Sequence, residues 1–185
     1  MIDAKYEHIN LTEDPLAPGE YENCEFINCN FSEADLSGFV FIECQFLECN
    51  LTNVKLSQAS FREVRFQGCK MVGLRFEECV PFLVPPEFHT CILKVSSFVE
   101  MKMAKVQFVQ CDLREVDFSG TDLSSAQFVH SDLHGAVFDR TILEKADLSS
   151  SYHYSIDPNN NRIRKAVFSV DGLPGLLGKY DIVIR

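Results

Sequence analysis

Eight cysteines are the residues of this 185-residue chain best suited to bind a metal or to form disulfides. They are Cys24, Cys29, Cys44, Cys49, Cys69, Cys79, Cys91 and Cys111. The paired CxxC spacing of a zinc site is absent. All eight instead fall on one inward-facing position of the repeat described below, where a buried cysteine packs as a small apolar side chain. We therefore expect free structural thiols, no metal and no cofactor.

Histidine, serine and aspartate offer the other routes to a reactive site. His130 and His134, in HSDLH, have the i, i+4 spacing that would place both on one face of a helix, but both are outward positions of the repeat. A hydrolase needs a nucleophile oriented by a base in a cleft, and the sequence has no Gly-rich phosphate loop, no HExxH and no GxSxG. We predict no catalytic residue, no small-molecule substrate and no enzyme activity.

A five-residue repeat positions all of these side chains. A large apolar residue, position i, recurs twelve times from Tyr21 to Phe76 and thirteen times from Phe88 to Leu148. Position i−2 holds mostly Cys, Ala, Val, Ser or Thr, whereas i−1, i+1 and i+2 are mostly polar. Helices favour spacings of three and four and strands a spacing of two, so the repeat belongs to neither. Five residues with two inward side chains instead predict one flat side of a coil, four sides to a coil of 20 residues, and coils stacked about 4.8 Å apart.

The pattern A/C-D/N-L/F-x-x, as in CDLRE, VDFSG, TDLSS, SDLHG and ADLSS, resembles the pentapeptide-repeat proteins. The resemblance implies an all-β fold, a right-handed quadrilateral β-helix. The slip in register at VPFLVPPEF (Val80–Phe88), which holds three prolines, predicts a loop or kink. The chain then divides into an N-terminal cap segment (1–20), a first repeat run (21–79), a loop (80–87), a second run (88–150) and a C-terminal cap and dimerisation segment (151–185).

The C-terminal tail departs from the repeat. We predict a strand around Ala166–Phe168, a short helix within DGLPGLLGKY (171–180) and a final strand, DIVIR (181–185). An apolar helix and strand at the end of a coil leave surface that a twofold contact would bury. This tail resembles that of the Qnr, McbG and MfpA type of pentapeptide-repeat protein, which implies a homodimer joined through this segment. The candidate dimerisation residues are Leu173, Leu176, Leu177, Ile182 and Val183.

The net charge of −10 argues against direct binding of nucleic acid, which normally needs a basic surface. Residues 1–54 hold 11 acids and one base, and residues 111–150 hold eight acids and three bases. Between them, Lys55, Arg65, Lys70 and Arg75 form a basic belt at successive i−1 positions apart from Ser60. We find no signal peptide and no membrane-spanning stretch, and so expect a cytoplasmic protein without a membrane partner.

Two interpretations of the outward acids remain open. Asp at i−1 suits a corner because its side chain bonds nearby backbone groups and keeps the rod soluble. Alternatively, ordered rows of carboxylates imitate the phosphates of duplex DNA. Because Asp112 and Asp132 are 20 residues apart, we expect them to stack in neighbouring coils. The candidate partner-binding residues are Asp112, Asp117, Asp122, Asp132, Asp147, Glu22, Glu25 and Asp35.

The resemblance to the Qnr, McbG and MfpA type implies a rod that binds a type II topoisomerase, DNA gyrase or topoisomerase IV, in place of DNA or frees it from an antibiotic such as a quinolone. We therefore predict a non-enzymatic DNA mimic. The alternative is a rod-shaped scaffold for an unrelated protein, with the Val80–Phe88 loop as its specific contact, because loops on a rigid framework commonly carry specificity.

Overall fold

Parallel strands stack the coils of this chain into the predicted all-β quadrilateral helix, in a computed structural model that describes residues 1–183. Ten strands of three residues lie within that range. They are β1 (Lys5–Glu7), β2 (Glu20–Glu22), β3 (Glu25–Ile27), β4 (Val40–Ile42), β5 (Gln45–Leu47), β6 (Ser60–Arg62), β7 (Arg65–Gln67), β8 (Glu87–His89), β9 (Gln107–Val109) and β10 (Gln127–Val129). The sheet order is β1-β3-β5-β7-β8-β9-β10 on one side of the coil and β2-β4-β6 on another. Single bridges between tight turns form the other two sides.

We number the four sides by their central residues. Side 1 carries Tyr6, Phe26, Phe46, Phe66, Phe88, Phe108, Phe128 and Leu148. Side 2 carries Leu11, Phe31, Leu51, Met71, Leu93, Leu113 and Leu133. Side 3 carries Leu36, Leu56, Phe76, Phe98, Phe118 and Phe138, and side 4 carries Tyr21, Phe41, Phe61, Met103, Leu123, Leu143 and Ile163. Phe82, in the segment between Phe61 and Met103 on side 4, is also buried.

The central residues form one continuous core. All 25 large apolar residues of the repeat are buried, and so are the eight cysteines. On side 1 the phenylalanine rings stack from coil to coil, with centroids 4.7 Å apart for Phe26 and Phe46 and 5.4 Å apart for Phe108 and Phe128. This near-parallel stacking follows directly from the parallel pairing of identical positions, and it adds to the apolar area that the coil buries.

Each corner of the coil is a tight turn with a residue of positive φ at position i+2. On side 2, for example, the N–H of Ala34 donates to the carbonyl of Phe31, and Glu33 between them has φ 60°. This is the geometry of a type II turn, which ordinarily favours Gly at that place. This hydrogen-bonded turn recurs on sides 2 and 3 and on the later coils of side 4, whereas the corners that follow the strands keep the positive φ without the hydrogen bond. Both kinds of corner let five residues suffice for a side and a corner.

The slip between the two repeat runs is a two-residue insertion on side 4. Phe66 pairs with Phe88, 22 residues on, whereas Phe26 pairs with Phe46, 20 residues on. Residues 80–86 form a loop in which Phe82 is buried and Leu83 is 94% exposed. The parallel pairing on side 1 continues past this loop, so the extra residues leave the stack of coils intact.

The tail differs in part from the prediction. The predicted strand around Ala166–Phe168 is wrong: the coil itself continues, and Val167 makes a single bridge to Asp147. A helix, α1 (Pro174–Leu177), and a 3-10 helix (Gly178–Tyr180) do lie within the predicted helical stretch. The predicted final strand is also wrong for 181–183, which have no regular structure, and its last two residues lie outside the described range. Within that range we find no helix long and apolar enough to cross a membrane.

Candidate interaction surface

The eight acidic candidates do not share one surface, because the coil distributes them evenly over its four sides. Side 1 presents Glu25 and Asp147, side 2 Asp112 and Asp132, side 3 Asp35 and Asp117, and side 4 Glu22 and Asp122. A flat partner that lies against any one side therefore contacts two of the eight. The even distribution follows from a spacing of five within a coil of 20 residues.

Asp112 and Asp132 stack in neighbouring coils, as their spacing predicted. Arg114 donates to the Asp112 carboxylate through Nε at 2.7 Å and through Nη2 at 2.5 Å, and its Nε lies 3.9 Å from Asp132 Oδ2. This guanidinium holds the pKa of the Asp112 carboxyl below its usual range. His153 Nδ1 lies 3.0 Å from Asp132 Oδ1. The stacked pair is thus partly balanced by its own neighbours and is a weaker anionic feature than the sequence suggests.

The other i−1 aspartates close their own turns. Asp117 Oδ1 accepts the backbone N–H of Ser119 at 2.8 Å, and Asp122 Oδ1 accepts that of Ser124 at 2.9 Å. Asp147 and Asp35 make the same contact to the residue two positions on. An Asp that bonds its own backbone in this way stabilises a turn. The interpretation that these aspartates stabilise their own corners therefore explains the role of one oxygen of each carboxylate.

An asparagine ladder that the sequence analysis missed occupies side 2 of the N-terminal coils. The amide nitrogen of Asn30 donates to Oδ1 of Asn10, and that of Asn50 to Oδ1 of Asn30, each over 3.2 Å. These residues hold the i−1 position that Asp112 and Asp132 hold further along. The sequence did contain the signal, as Asn at intervals of 20 residues. The amides can bond to one another only because neighbouring coils hold them within hydrogen-bond distance.

The basic belt follows one coil around the rod, as its successive i−1 positions imply. Arg65 forms an ion pair with Glu87 at 2.8 Å, and Arg75 forms ion pairs with Glu77 and Glu78. Lys55 and Lys70 are exposed and have no ion-pair partner within residues 1–183. The belt therefore separates the acidic N-terminal coils from the rest of the rod.

The cysteines are free and buried, and their thiols have a structural role beyond apolar packing. Cys49 Sγ donates to the carbonyl of Phe26 in the preceding coil, at 3.2 Å. Ser131 and Thr141 make the same contact from the same position, to Phe108 and Phe118. Position i−2 thus selects small side chains that donate a hydrogen bond, which is why Cys, Ser and Thr recur there.

Metal ligands do not converge in the part of the chain that the structure describes. No group of three or more His, Cys, Asp or Glu there is arranged to hold a metal ion. His130 and His134 project from different sides, and the ring nearest to His134 is that of His153, 6.1 Å away between centroids. The i, i+4 spacing therefore does not create a histidine pair in this fold.

The candidate dimerisation residues divide into an exposed and a packed group. Leu173, Ile182 and Val183 are exposed, Val183 by 84%. Leu176 and Leu177 are half-buried, and Leu176 packs against the core of this same chain. Leu176 therefore seals the end of the coil, while Leu173, Ile182 and Val183 are exposed.

Comparisons with known proteins agree with this architecture. A family model described as "Pentapeptide repeat region" matches residues 19–81 and 75–148. HetL, a pentapeptide repeat protein involved in heterocyst differentiation regulation from the cyanobacterium Nostoc, is similar over 91% of this chain and 82% of its own, with 17% identity and a TM-score of 0.56. QnrB1, a plasmid-mediated fluoroquinolone resistance protein, aligns over 98% of this chain and 99% of its own, with 20% identity and a TM-score of 0.35. The likeness to HetL shows a shared fold and no more. No curated protein sequence matches the chain.

Proposed function

The chain belongs to the pentapeptide-repeat family, and we propose that it is a non-enzymatic cytoplasmic DNA mimic that binds a type II topoisomerase, DNA gyrase or topoisomerase IV, and modulates it or protects it from poisons. The observation that carries the proposal is the charge density of the N-terminal coils. Residues 1–54 have a net charge of −10, and at 20 residues per coil they occupy roughly 13 Å of the rod. That is about one charge per 1.3 Å, close to the value of about one per 1.7 Å for duplex DNA.

These charges are available to a partner. Of the 11 acids in residues 1–54, only Glu7 has an ion-pair partner in the described chain, namely Lys5. Glu33, Glu43 and Glu48 are exposed at i+2 corners on different edges of the rod, so negative charge surrounds this end. A topoisomerase binds duplex phosphates with Lys and Arg side chains, and the same side chains would bind a rod of similar charge density.

The C-terminal segment supports a homodimer in this proposal. Leu173, Ile182 and Val183 present apolar side chains at the far end of the coil from the acidic residues. A twofold contact there would bury them and leave an acidic end at each extremity of a longer rod. Such a rod would offer two anionic ends to a twofold symmetric enzyme.

The test is a supercoiling assay with purified gyrase, in which the protein is titrated with and without a fluoroquinolone. We expect inhibition by the protein alone or rescue from the drug. A variant with Glu22→Gln, Glu25→Gln and Asp35→Asn should weaken this effect, because it removes three charges from the dense end. In a second variant, Asp112→Asn, Asp122→Asn and Asp132→Asn remove charge while Asn keeps the turn, as Asn30 and Asn50 already do.

The comparison of the two triple variants locates the surface. A larger loss from the N-terminal variant supports the charge-density argument, whereas a larger loss from the second variant places the contact on the later coils. No effect of the wild-type protein on gyrase or topoisomerase IV at any concentration would contradict the proposal.

A second candidate function is a scaffold for an unrelated protein, and the exposure of the loop favours it. Leu83 is 94% exposed and Val84 55% exposed, between prolines that stiffen the loop. Under this alternative, Leu83→Asp abolishes partner binding, whereas charge mimicry of DNA tolerates the same change. The supercoiling assay on Leu83→Asp therefore separates the two functions.

A further inference from the structure

Side 4 of the rod carries opposite charges in its two halves, which are divided by the loop 80–86. The half before the loop presents five carboxylates and one cation: Asp3, Glu20, Glu22, Glu43 and Glu63, with Arg62. The half after the loop presents six cations and two carboxylates: Lys102, Lys105, Lys145, Arg162, Arg164 and Lys165, with Asp122 and Glu144. The two halves therefore have net charges of equal size and opposite sign.

Most of these charges have no partner in their own chain. Glu144 pairs with Arg162 at 2.6 Å. Within residues 1–183, none of the five carboxylates of the first half has an ion-pair partner, and neither do the four lysines of the second. Like charges in neighbouring coils lie close together and repel one another, so each half favours a surface of opposite charge.

The boundary between the halves is the most exposed apolar element of this side. Leu83 and Val84 are exposed on the loop, and a hollow lies on either side of it. The hollow toward the acidic half lies at the corner between sides 4 and 1, is lined by Glu43, Glu63 and Val84 on one flank and by Gln45 and Arg65 of side 1 on the other, and has a volume of about 630 Å³. The hollow toward the basic half includes Leu83, Ala104 and Lys105 and has a volume of about 310 Å³. An apolar tip flanked by hollows can interdigitate with an identical tip.

We propose that side 4 is an interface between two copies of this chain, packed side by side in antiparallel orientation. A twofold axis through the loop places the acidic half of each rod against the basic half of its partner. A parallel arrangement would instead place acid against acid. An isologous contact requires such a self-complementary pattern, because each pair of residues across it occurs twice, once from each copy.

The charges at position i+2 fit this axis, whereas at i+1 the axis brings Glu22 to Glu144, whose carboxylate Arg162 already pairs. Position i+2 of side 4 is Glu63 in the coil before the loop and Lys105 in the coil after it, and their central residues, Phe61 and Met103, are each 21 residues from Phe82. At the ends of the rod, Asp3 and Lys165 occupy the same position. The axis therefore brings Glu63 to Lys105 of the other copy and Asp3 to its Lys165. With the loops at the centre, the contact has an apolar core and a charged rim, the usual anatomy of an interface.

This interface is separate from the apolar C-terminal contact, but it shares the side 4 acids Glu22, Glu43 and Asp122 with the proposed topoisomerase surface. It covers one side of the rod and leaves the acids of sides 1, 2 and 3 open. Because its rim consists of exposed ion pairs, salt screens it, whereas an apolar contact at Leu173 and Val183 is much less affected by salt. Ionic strength therefore distinguishes the two modes of association.

The test is sedimentation equilibrium of the full chain in 50 mM and 500 mM NaCl. We expect one association step that is lost at high salt. Glu63→Lys and Lys105→Glu should each weaken that step by about tenfold, since each turns two attractive pairs into repulsive ones. An equimolar mixture of the two variants should restore it, because the lysine introduced in one chain then meets the glutamate introduced in the other. The control Glu33→Lys, at an exposed corner with the same positive φ on side 2, should leave association unchanged.

A crosslinking experiment locates the axis. All eight native cysteines are buried, so Leu83→Cys introduces the one exposed thiol of the variant. Under mild oxidation it should form a disulfide-linked dimer at low salt. The proposal is overturned if the mixture of charge variants remains dissociated, if Leu83→Cys does not crosslink, or if the chain is monomeric in 50 mM NaCl. The proposal is also overturned if the chain stays monomeric and its basic half binds a DNA oligonucleotide instead.

Discussion

The side-chain nitrogen of Asn50 donates to Oδ1 of Asn30 across neighbouring coils, over 3.2 Å. The same Asn30 oxygen accepts the backbone N–H and the hydroxyl of Ser32, at 3.1 and 2.8 Å. Each amide in this ladder therefore closes its own turn and also links two coils. The ladder ends where Lys70 takes the next place in the column.

Asn30→Asp should lower the free energy of unfolding by about 1–2 kcal/mol relative to Asn28→Asp. The carboxylate keeps the acceptor that closes the turn but has no donor for Oδ1 of Asn10. Asn28 is an exposed i+2 residue of the same coil, so its change adds the same charge without breaking the ladder. Urea unfolding of the two variants measures the difference, and equal stabilities would mean that the ladder contributes nothing.

Val95 adopts φ 52°, a conformation that is unfavourable for a β-branched residue. Gly73 and Gly135 occupy the same corner position on side 2. Val95→Gly should therefore stabilise the protein by roughly 0.5–1 kcal/mol, because relief of backbone strain exceeds the added entropy of the unfolded chain. Thermal unfolding would show a higher midpoint, whereas the control Val99→Gly, at a position without positive φ, should lower it.

Gly175 lies directly against Tyr154, so that a Cβ at this position would meet the carbonyl oxygen and ring of the tyrosine. The carbonyl of Gly175 also accepts the N–H of Ile156 at 2.9 Å. Gly175→Ala should detach α1 from the end of the coil and destabilise this cap by about 1–3 kcal/mol. Gly178→Ala is the matched control, because the nearest atom to its Cβ would be Ser155 Oγ at 3.8 Å. Hydrogen exchange of residues 156–180 should rise in the first variant only.

Burial raises the pKa of the Cys44 thiol to about 11 and that of Cys79 to about 12. An unfolded cysteine ionises near pH 8.5, so above about that pH the unfolded state releases protons that the folded state keeps. The free energy of unfolding should therefore be unaffected by these thiols below about pH 8.5 and should fall as the pH rises toward 11. Denaturant unfolding between pH 8 and 10 measures this fall.

The double variant Cys44→Ser and Cys79→Ala checks the cause of the alkaline loss. Serine retains the donor at i−2, as Ser131 shows, and neither replacement ionises in this range. The fall in stability with pH should be shallower in the variant than in the wild-type protein. Identical slopes would assign the loss to other groups.

The sequence predicted the local features of the fold because the repeat is itself local. Whether a residue points inward or outward depends on its position within the five-residue repeat, so Phe41, Cys44 and Leu123 could be placed in the core from spacing alone. The stacking of Asp112 on Asp132 followed from a coil of 20 residues. The tail was predicted less well, because Val167 pairs with Asp147 through the coil even though the surrounding motif has ended.

Nonlocal relationships were decided only by the tertiary structure. The two inserted residues near Val80 had to be added to one side, and only packing determined that Phe82 points inward and Leu83 outward. His153 meets Asp132 because both side chains project from side 2 of neighbouring coils, which the spacing of acids does not reveal. The opposite charges of the two halves of side 4 likewise arise from residues between 39 and 162 positions apart in the sequence, from Glu63 and Lys102 to Asp3 and Lys165. A five-residue repeat determines which way each side chain faces, but the closure of the coil determines which side chains it meets.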